Sequence, residues 1–349
     1  MNVPYQAVLL VSFGGPEGMD DVAPFLQNVL KGRRVSPGRL EEVAHHYEIF
    51  RGVSPINEQN RQLLSALQRE LGSQGLTLPL YCGNRNWHPF LADTVRQMSL
   101  DGIEKSLAFV TSPYSSYSGC RQYLQDIDRA RMEVGPEAPI IHKLRAFYNH
   151  PGFVEANADR VKEALSGIPA ERRQKVALVF TAHSIPASMA AGCRYVEQLQ
   201  EVCTLVARRV AHPIWSLAYQ SRSGRPEQAW LEPDVGDCLR ELKSSGAKDV
   251  VIVPVGFVSD HMEVVYDLDV EAMQLCMEIG LNAVRASSAG VHPAFVSMVR
   301  ELILERVKEN SERRFVGTRG PRPDFCPIGC CSAPDSASQP PGTGRSTRA

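Results

Sequence analysis

Six acidic or imidazole side chains, Asp260, His261, Glu263, Asp267, Asp269 and Glu271, crowd into residues 260–271 of the segment PVGFVSDHMEVVYDLDVE (254–271). Glu263, Asp267 and Glu271 are spaced four apart, so a helix would set three carboxylates in one row. Like charges at that spacing cost a helix roughly 0.2–0.5 kcal/mol per pair. A hydrated divalent cation or a proton in transit would relieve the repulsion. Hard oxygen donors also suit ferrous iron on a transient path better than tight storage. A solvated acidic helix face would show the same pattern. The apolar run in VALVFTAHSIP (176–186) leads directly to His183. A neutral imidazole is both a metal ligand and a proton acceptor near neutral pH. A lone histidine at a strand end is usually structural. One imidazole and one carboxylate row, each directly after an apolar run, point together to metal or proton chemistry.

Two further segments carry polar groups after apolar runs. In HYEIFRGVSPINEQN (46–60), Val53-Ser54-Pro55 reads as a turn that opens the next helix. In TSPYSSYSGCRQYLQD (111–126), Tyr114, Tyr117 and Tyr123 sit among hydroxyls and Arg121. Tyrosine offers a flat apolar face with a polar tip, so this stretch could hold a flat anionic ligand or simply connect a strand to a helix. Of nine cysteines, Cys82, Cys120, Cys193, Cys203, Cys238 and Cys276 are scattered, whereas Cys326, Cys330 and Cys331 sit together near the C-terminus. The terminal group reads as a metal or cluster site rather than a disulfide framework.

The elements that must position these residues alternate. Strands are predicted at 7–12, 78–81, 106–111 and 139–142, then at 176–181, 214–219, 249–254 and 283–286. Helical spacing covers 19–30, 57–71, 151–165, 189–210, 235–242, 264–277 and 293–308. Near-continuous apolar strands between amphipathic helices argue for parallel sheets covered on both faces. The fold class is therefore α/β, with two units of four strands each. Asn149-His150-Pro151 divides them, giving domains at 1–150 and 151–315, a cysteine-bearing segment at 316–331 and a tail at 332–349 that is too polar to fold. AVLLVSFGGP and VALVFTAHSIP open the two units alike.

The 349 residues are 43% hydrophobic and 22% charged, with a formal net charge of −1. No basic domain suggests nucleic-acid binding. The N-terminal apolar run lacks a basic flank and a cleavage site, so it reads as a buried strand rather than a signal peptide. No apolar stretch approaches the ~18 residues of a membrane span, so a cytoplasmic protein with reduced thiols is expected.

SFGGP (12–16), GVSPIN (52–57), GNRNWHP (83–89), FTAHSIP (180–186), YQSRSGRPEQAWLEP (219–233) and PVGFVSDHMEVVYDLD (254–269) occur in this order. Together they resemble the ferrochelatase family from residue 7 to about 310, and the pair FTAHS and GFVSDHxE is highly specific. The resemblance implies two Rossmann-like domains with a porphyrin between them and His183 facing Glu263 across the macrocycle. His183 would bind the substrate Fe2+ or accept pyrrole protons, and Asp267 and Glu271 would relay metal or protons. Ser54 and Tyr123 match positions that contact the porphyrin and its propionates in relatives. Phe13 stands where some relatives have a tyrosine ligand, so that mode of product binding should be absent. The stretch LKGRRVSPGRLEEVAHH (30–46) is charged where membrane-associated relatives have an apolar lip. That favours coproporphyrin III over protoporphyrin IX as substrate, with Arg33, Arg34 and Arg39 at its anionic edge and Fe-coproporphyrin III as product. Haem-pathway enzymes are the candidate partners. Some family members carry a [2Fe–2S] cluster on three C-terminal cysteines and one from the body. Here that implies Cys326, Cys330, Cys331 and Cys120, with Cys193 in reserve. Protoporphyrin IX chelation, a porphyrin or haem carrier without turnover, an iron–sulfur sensor on a retired scaffold and a cobalt chelatase are the competing readings.

Overall fold

The computed structural model describes residues 4–31, 37–224, 227–327 and 329–333, with side chains omitted at 37 and 39–42. Two four-stranded parallel sheets form its frame. In the first, β1 (Ala7–Ser12), β2 (Leu80–Asn84), β3 (Lys105–Val110) and β4 (Ile140–Lys143) lie in the order β2-β1-β3-β4. In the second, β5 (Ala177–His183), β6 (Trp215–Gln220), β7 (Asp249–Val253) and β8 (Asn282–Arg285) repeat that order as β6-β5-β7-β8. The two similar opening segments thus become β1 and β5, which hold equivalent positions. Every residue of β1 and of β7 is buried, as sheets covered on both faces require.

The helices α1 (Met19–Val29), α3 (Ile56–Ser73), α6 (Pro151–Ser166), α9 (Val235–Ser244) and α12 (Pro293–Val307) follow the predicted spans closely. α6 begins where Pro151 takes the first turn and His150 Nδ1 accepts from the Gly152 amide at 3.1 Å. Several elements differ from expectation. β2 starts at Leu80 because Pro79 has no N–H for the ladder. The helix expected over 189–210 divides at Gly192 into α7 (Ala187–Ala191) and α8 (Tyr195–Arg209). Three helices were not foreseen: α2 (Pro37–Ile49), α4 (Leu91–Leu100) and α5 (Gln122–Val134). α5 is entered through a π-helical turn at Tyr117–Arg121, inside the segment read as a hydroxyl-rich connection.

One hydrophobic cluster runs through both halves. It joins Val8, Leu10 and Phe109 of the first sheet to Leu178, Phe180 and Val251 of the second. Phe147, Phe153 and Phe295 fill the space between, with ring centroids 5.7–6.3 Å apart. α12 returns from the second half to pack on α3 and α6. Polar contacts fix the same junction: Tyr114 Oη donates to the Val255 carbonyl at 2.8 Å, and the Asp260 amide donates to Gln59 Oε1 at 2.8 Å. The strand ends of the two sheets are therefore held at a set separation.

Candidate active site

His183 is the last residue of β5 and pairs in register with Gln220 at the end of β6. The acidic segment leaves β7, the other neighbour of β5. Gly256 brings the two together, since a Cβ there would lie 2.6 Å from Ala182 Cα. Only glycine lets the Pro254–Phe257 turn cross the strand that carries His183.

The imidazole is oriented through its backbone. Its Nδ1 lies against the Ser184 carbonyl, and Tyr195 Oη donates to the His183 carbonyl at 3.0 Å. A carbonyl can only accept, so Nδ1 carries a proton, and in the neutral ring Nε2 is left with a lone pair. Nε2 lies 3.4 Å from Glu263 Oε2, with 33% of the His183 side chain and 54% of the Glu263 side chain exposed. This is too close for a macrocycle to lie between them, so the two share one side instead of facing each other across it as the resemblance implied. Burial pushes the imidazole toward its neutral form, but Glu263 outweighs it, so the pKa is raised above 6.5. His261 Nδ1 sits 4.0 Å from the same carboxylate, and burial holds this ring low.

Glu263 lies in α10 (Met262–Val264), which runs into a π-helical stretch at Val265–Ala272 and then α11 (Met273–Glu278). In an α-helix a row spaced by four drifts about 40° per step. The wider π winding turns the other way against that drift and keeps Glu263, Asp267 and Glu271 on one side. Asp267 is strongly perturbed. Burial first, then the charges of Glu263 and Glu271, push it up to about 7, against Ser221 and Gln220, which donate to its Oδ2. A carboxyl poised there can take or release a proton at neutral pH. Asp260 and Asp269, which the sequence places in the same cluster, are both engaged by Arg285 of β8. They close the helix onto the sheet and leave the row to the other three acids.

The wall opposite comes from the first half. Ser54 is 3% exposed, and its amide donates to the Pro16 carbonyl at 2.9 Å. A Cβ on Gly15 would lie 2.6 Å from Ser54 Cβ, so the Gly14-Gly15 turn needs glycine to meet this loop. A cleft of about 410 Å³ opens between the Ser54 loop and the acidic helix, lined by Phe50, Val53, Pro55, Gln59, Asp260 and Val265 among others. Tyr47 of α2 is buried near Glu263, and burial and that charge push its phenol up. His46 stacks on Tyr266 with centroids 3.7 Å apart. These α2 contacts, Ser221 and Arg285 are the site residues that sequence reasoning did not single out. Ser221 does follow a strand in YQSRSG, which was a usable signal. Tyr123 lies 6% exposed behind Arg85, whose guanidinium sits 4.6 Å over its ring. Phe13 packs against Phe25. Arg33 and Arg34 lie outside the described residues, as do the side chain of Arg39 and residues 334–349 of the tail.

The candidate cluster thiols meet away from these residues. Cys120 and Cys326 lie close enough for their thiols to shift each other, Cys120 up and Cys326 down. Cys330 and Cys331 Sγ are 3.7 Å apart, and Cys193 is close enough to feel the charge of Cys330. Among the described residues no three His, Cys, Asp or Glu side chains close on one metal-sized point. A [2Fe–2S] group asks instead for two thiolate pairs. Around a tetrahedral metal with bonds of ~2.3 Å, such a pair is spaced about 3.8 Å; Cys330 and Cys331 match that spacing, and the four thiols fit the group in kind.

A family model described as Ferrochelatase matches residues 5–307. A protein of Rhodopirellula baltica named ferrochelatase is 55% identical over 330 residues, covering 94% of this chain and 93% of that one. A coproporphyrin III ferrochelatase of Streptomyces coelicolor is 48% identical over 353 residues, covering 95% and 94%. Among solved structures, SirB from Bacillus subtilis with Fe3+ superposes with a TM-score of 0.54 at 13% identity, covering 86% of this chain and 96% of that one. That likeness supports the fold alone, a pair of Rossmann-like units. No helix among the described residues is long and apolar enough to cross a membrane. With family model and relatives matching nearly the whole chain, the protein belongs to the ferrochelatase family, lyases that insert metal into porphyrin.

Proposed function

We propose that the chain inserts ferrous iron into coproporphyrin III and releases Fe-coproporphyrin III in the cytoplasm, within haem biosynthesis. The observation that carries the choice of porphyrin is the series of relatives, 46–49% identical, named for coproporphyrin III. The charged stretch 30–46 agrees, because a four-carboxylate porphyrin suits a cationic mouth. Insertion exchanges two pyrrole protons for one Fe2+. His183 Nε2, with its lone pair toward Glu263, receives a pyrrole proton or the metal. Glu263 stabilises the resulting charge, and Asp267 and Glu271 carry protons or iron along the row. Ser54 and Tyr123, the latter behind Arg85, are the porphyrin-binding positions. Initial rates with coproporphyrin III and protoporphyrin IX, measured side by side from the metalloporphyrin bands, test the preference. We expect kcat/KM at least tenfold higher for coproporphyrin III. Equal rates, or a reversal, would remove the four-carboxylate assignment.

Cys120, Cys326, Cys330 and Cys331 are the residues that would hold a [2Fe–2S] cluster, a one-electron redox group when bound. Their pairwise contacts support this reading. Protein purified without oxygen should be reddish-brown, and Cys326→Ser should bleach it. Colourless wild-type protein with zinc-loaded or metal-free thiols would exclude the cluster.

A further inference from the structure

A second cavity, of about 170 Å³, has the Cys120 and Cys326 thiols in its lining and includes neither His183 nor Glu263. One wall comes from the body of the first half, the other from the C-terminal strap. Its charged lining is Arg121 and Lys143 on the body side, and Arg322 and Asp324 on the strap. Asp324 is already engaged by Arg313 and lies 3.8 Å from Arg306. Lys143 Nζ donates to the Leu144 carbonyl at 3.0 Å and also acts on the Cys120 thiol, which leaves one of its three N–H groups to donate. Arg121 and Arg322 are half-buried, and neither guanidinium has a hydrogen-bond or ion-pair acceptor among the described residues.

Elsewhere among the described residues partly or fully buried guanidinium groups are matched. Arg145 faces Glu305, Arg285 faces Asp260 and Asp269, and Arg300 faces Glu70. Two unmatched guanidinium groups beside a lysine, around one enclosed space, form a net positive cavity. Desolvating such groups is unfavourable unless an acceptor is supplied. Their fixed forks fit a tetrahedral or planar oxyanion in bidentate fashion. The space is smaller than the roughly 300–1,000 Å³ of sites for drug-sized ligands, which limits the occupant to a few heavy atoms.

We propose that this cavity binds a small oxyanion of the phosphate class between Arg121 and Lys143 of the body and Arg322 of the strap. Because the cations come from both walls, the anion ties the C-terminal segment to the first domain. The strap is otherwise held there by single contacts, such as the Val316 amide donating to the Asn149 carbonyl at 2.8 Å and Asn149 Nδ2 donating to the Gly320 carbonyl at 2.8 Å.

The test titrates inorganic phosphate into the full-length protein at constant ionic strength, with chloride as control. Calorimetry, thermal unfolding and protease cutting within 309–324 are followed. Saturable binding, a rising Tm and slower cutting are expected. Arg121→Gln/Arg322→Gln should bind phosphate at least tenfold more weakly while keeping the wild-type circular dichroism. Arg322→Gln alone serves if the double variant misfolds. Absence of saturable binding overturns the proposal, as does equal binding by the variants. If the substitutions alter only the visible spectrum and phosphate binds no form, the cations serve the thiolates and the oxyanion site is disproved.

Discussion

Replacing His183 with alanine should lower iron insertion by at least about 100-fold, the smaller end of what a positioned acid–base group contributes, while coproporphyrin III still binds. The reason is geometric. Nδ1 is committed to the Ser184 carbonyl, so Nε2 is the atom left to meet a pyrrole proton or the metal, 3.4 Å from Glu263. In the proposed binding mode Ser54, Tyr123 and the charged stretch 30–46 hold the macrocycle, so its affinity should fall little. Porphyrin band shifts report binding and new metalloporphyrin bands report insertion. An alanine variant that inserts iron within a few-fold of wild type would remove His183 from the chemistry. The pH profile follows with a defined sign. Glu263 raises the His183 pKa above 6.5 despite burial, and the proton-accepting form is the neutral one. Activity should therefore fall as pH drops through that raised value. Glu263→Gln removes the opposing charge, leaves burial in force and should move the imidazole titration to lower pH, as NMR of the His183 ring would report.

Glu305→Gln should destabilise the folded protein by about 3–5 kcal/mol, the usual cost of leaving one member of a buried ion pair uncompensated. Arg145 and Glu305 are 1% and 2% exposed. The pair is bidentate, with Nε to Oε2 at 2.7 Å and Nη2 to Oε1 at 2.8 Å. Arg145 also donates to the Arg314 carbonyl at 2.9 Å. One guanidinium thus joins the segment after β4, helix α12 and the start of the strap. Urea unfolding should show a lower midpoint with an unchanged m-value. Replacing both partners with apolar residues of similar volume should cost much less than the single change, because no charge is then stranded. A single-variant loss below about 1 kcal/mol would mean that water reaches the pair in solution.

How far these features were legible follows from the range of the forces involved. The strands were readable because a chain buried on both faces must be apolar at nearly every position, and AVLLVS and DVVIV state that locally. Several helices whose apolar stripe faces a sheet were readable by the same logic, although α4 and α5, which bury Leu91, Val95, Met98 and Ile127 on the first sheet, were not. α2, which packs over the acidic helix, was missed because its sequence is mostly polar and its apolar stripe is faint. The row Glu263, Asp267 and Glu271 was readable as spacing, since any helix with about four residues per turn aligns it. The sequence alone therefore determined the strand–helix order, the acidic row and His183 each at the end of an apolar run, and the grouping of three thiols at one end. Tertiary structure decided which acids belong to the row. Arg285 claims Asp260 and Asp269 from β8, whereas Ser221 and Gln220 enclose Asp267 from the end of β6. It also decided that Tyr123 lies behind Arg85, that Cys120 meets Cys326, and that Arg145 finds Glu305. Periodicity records only which face of an element is buried. The partner of a buried charge comes from a distant part of the chain, and no local pattern encodes that distance.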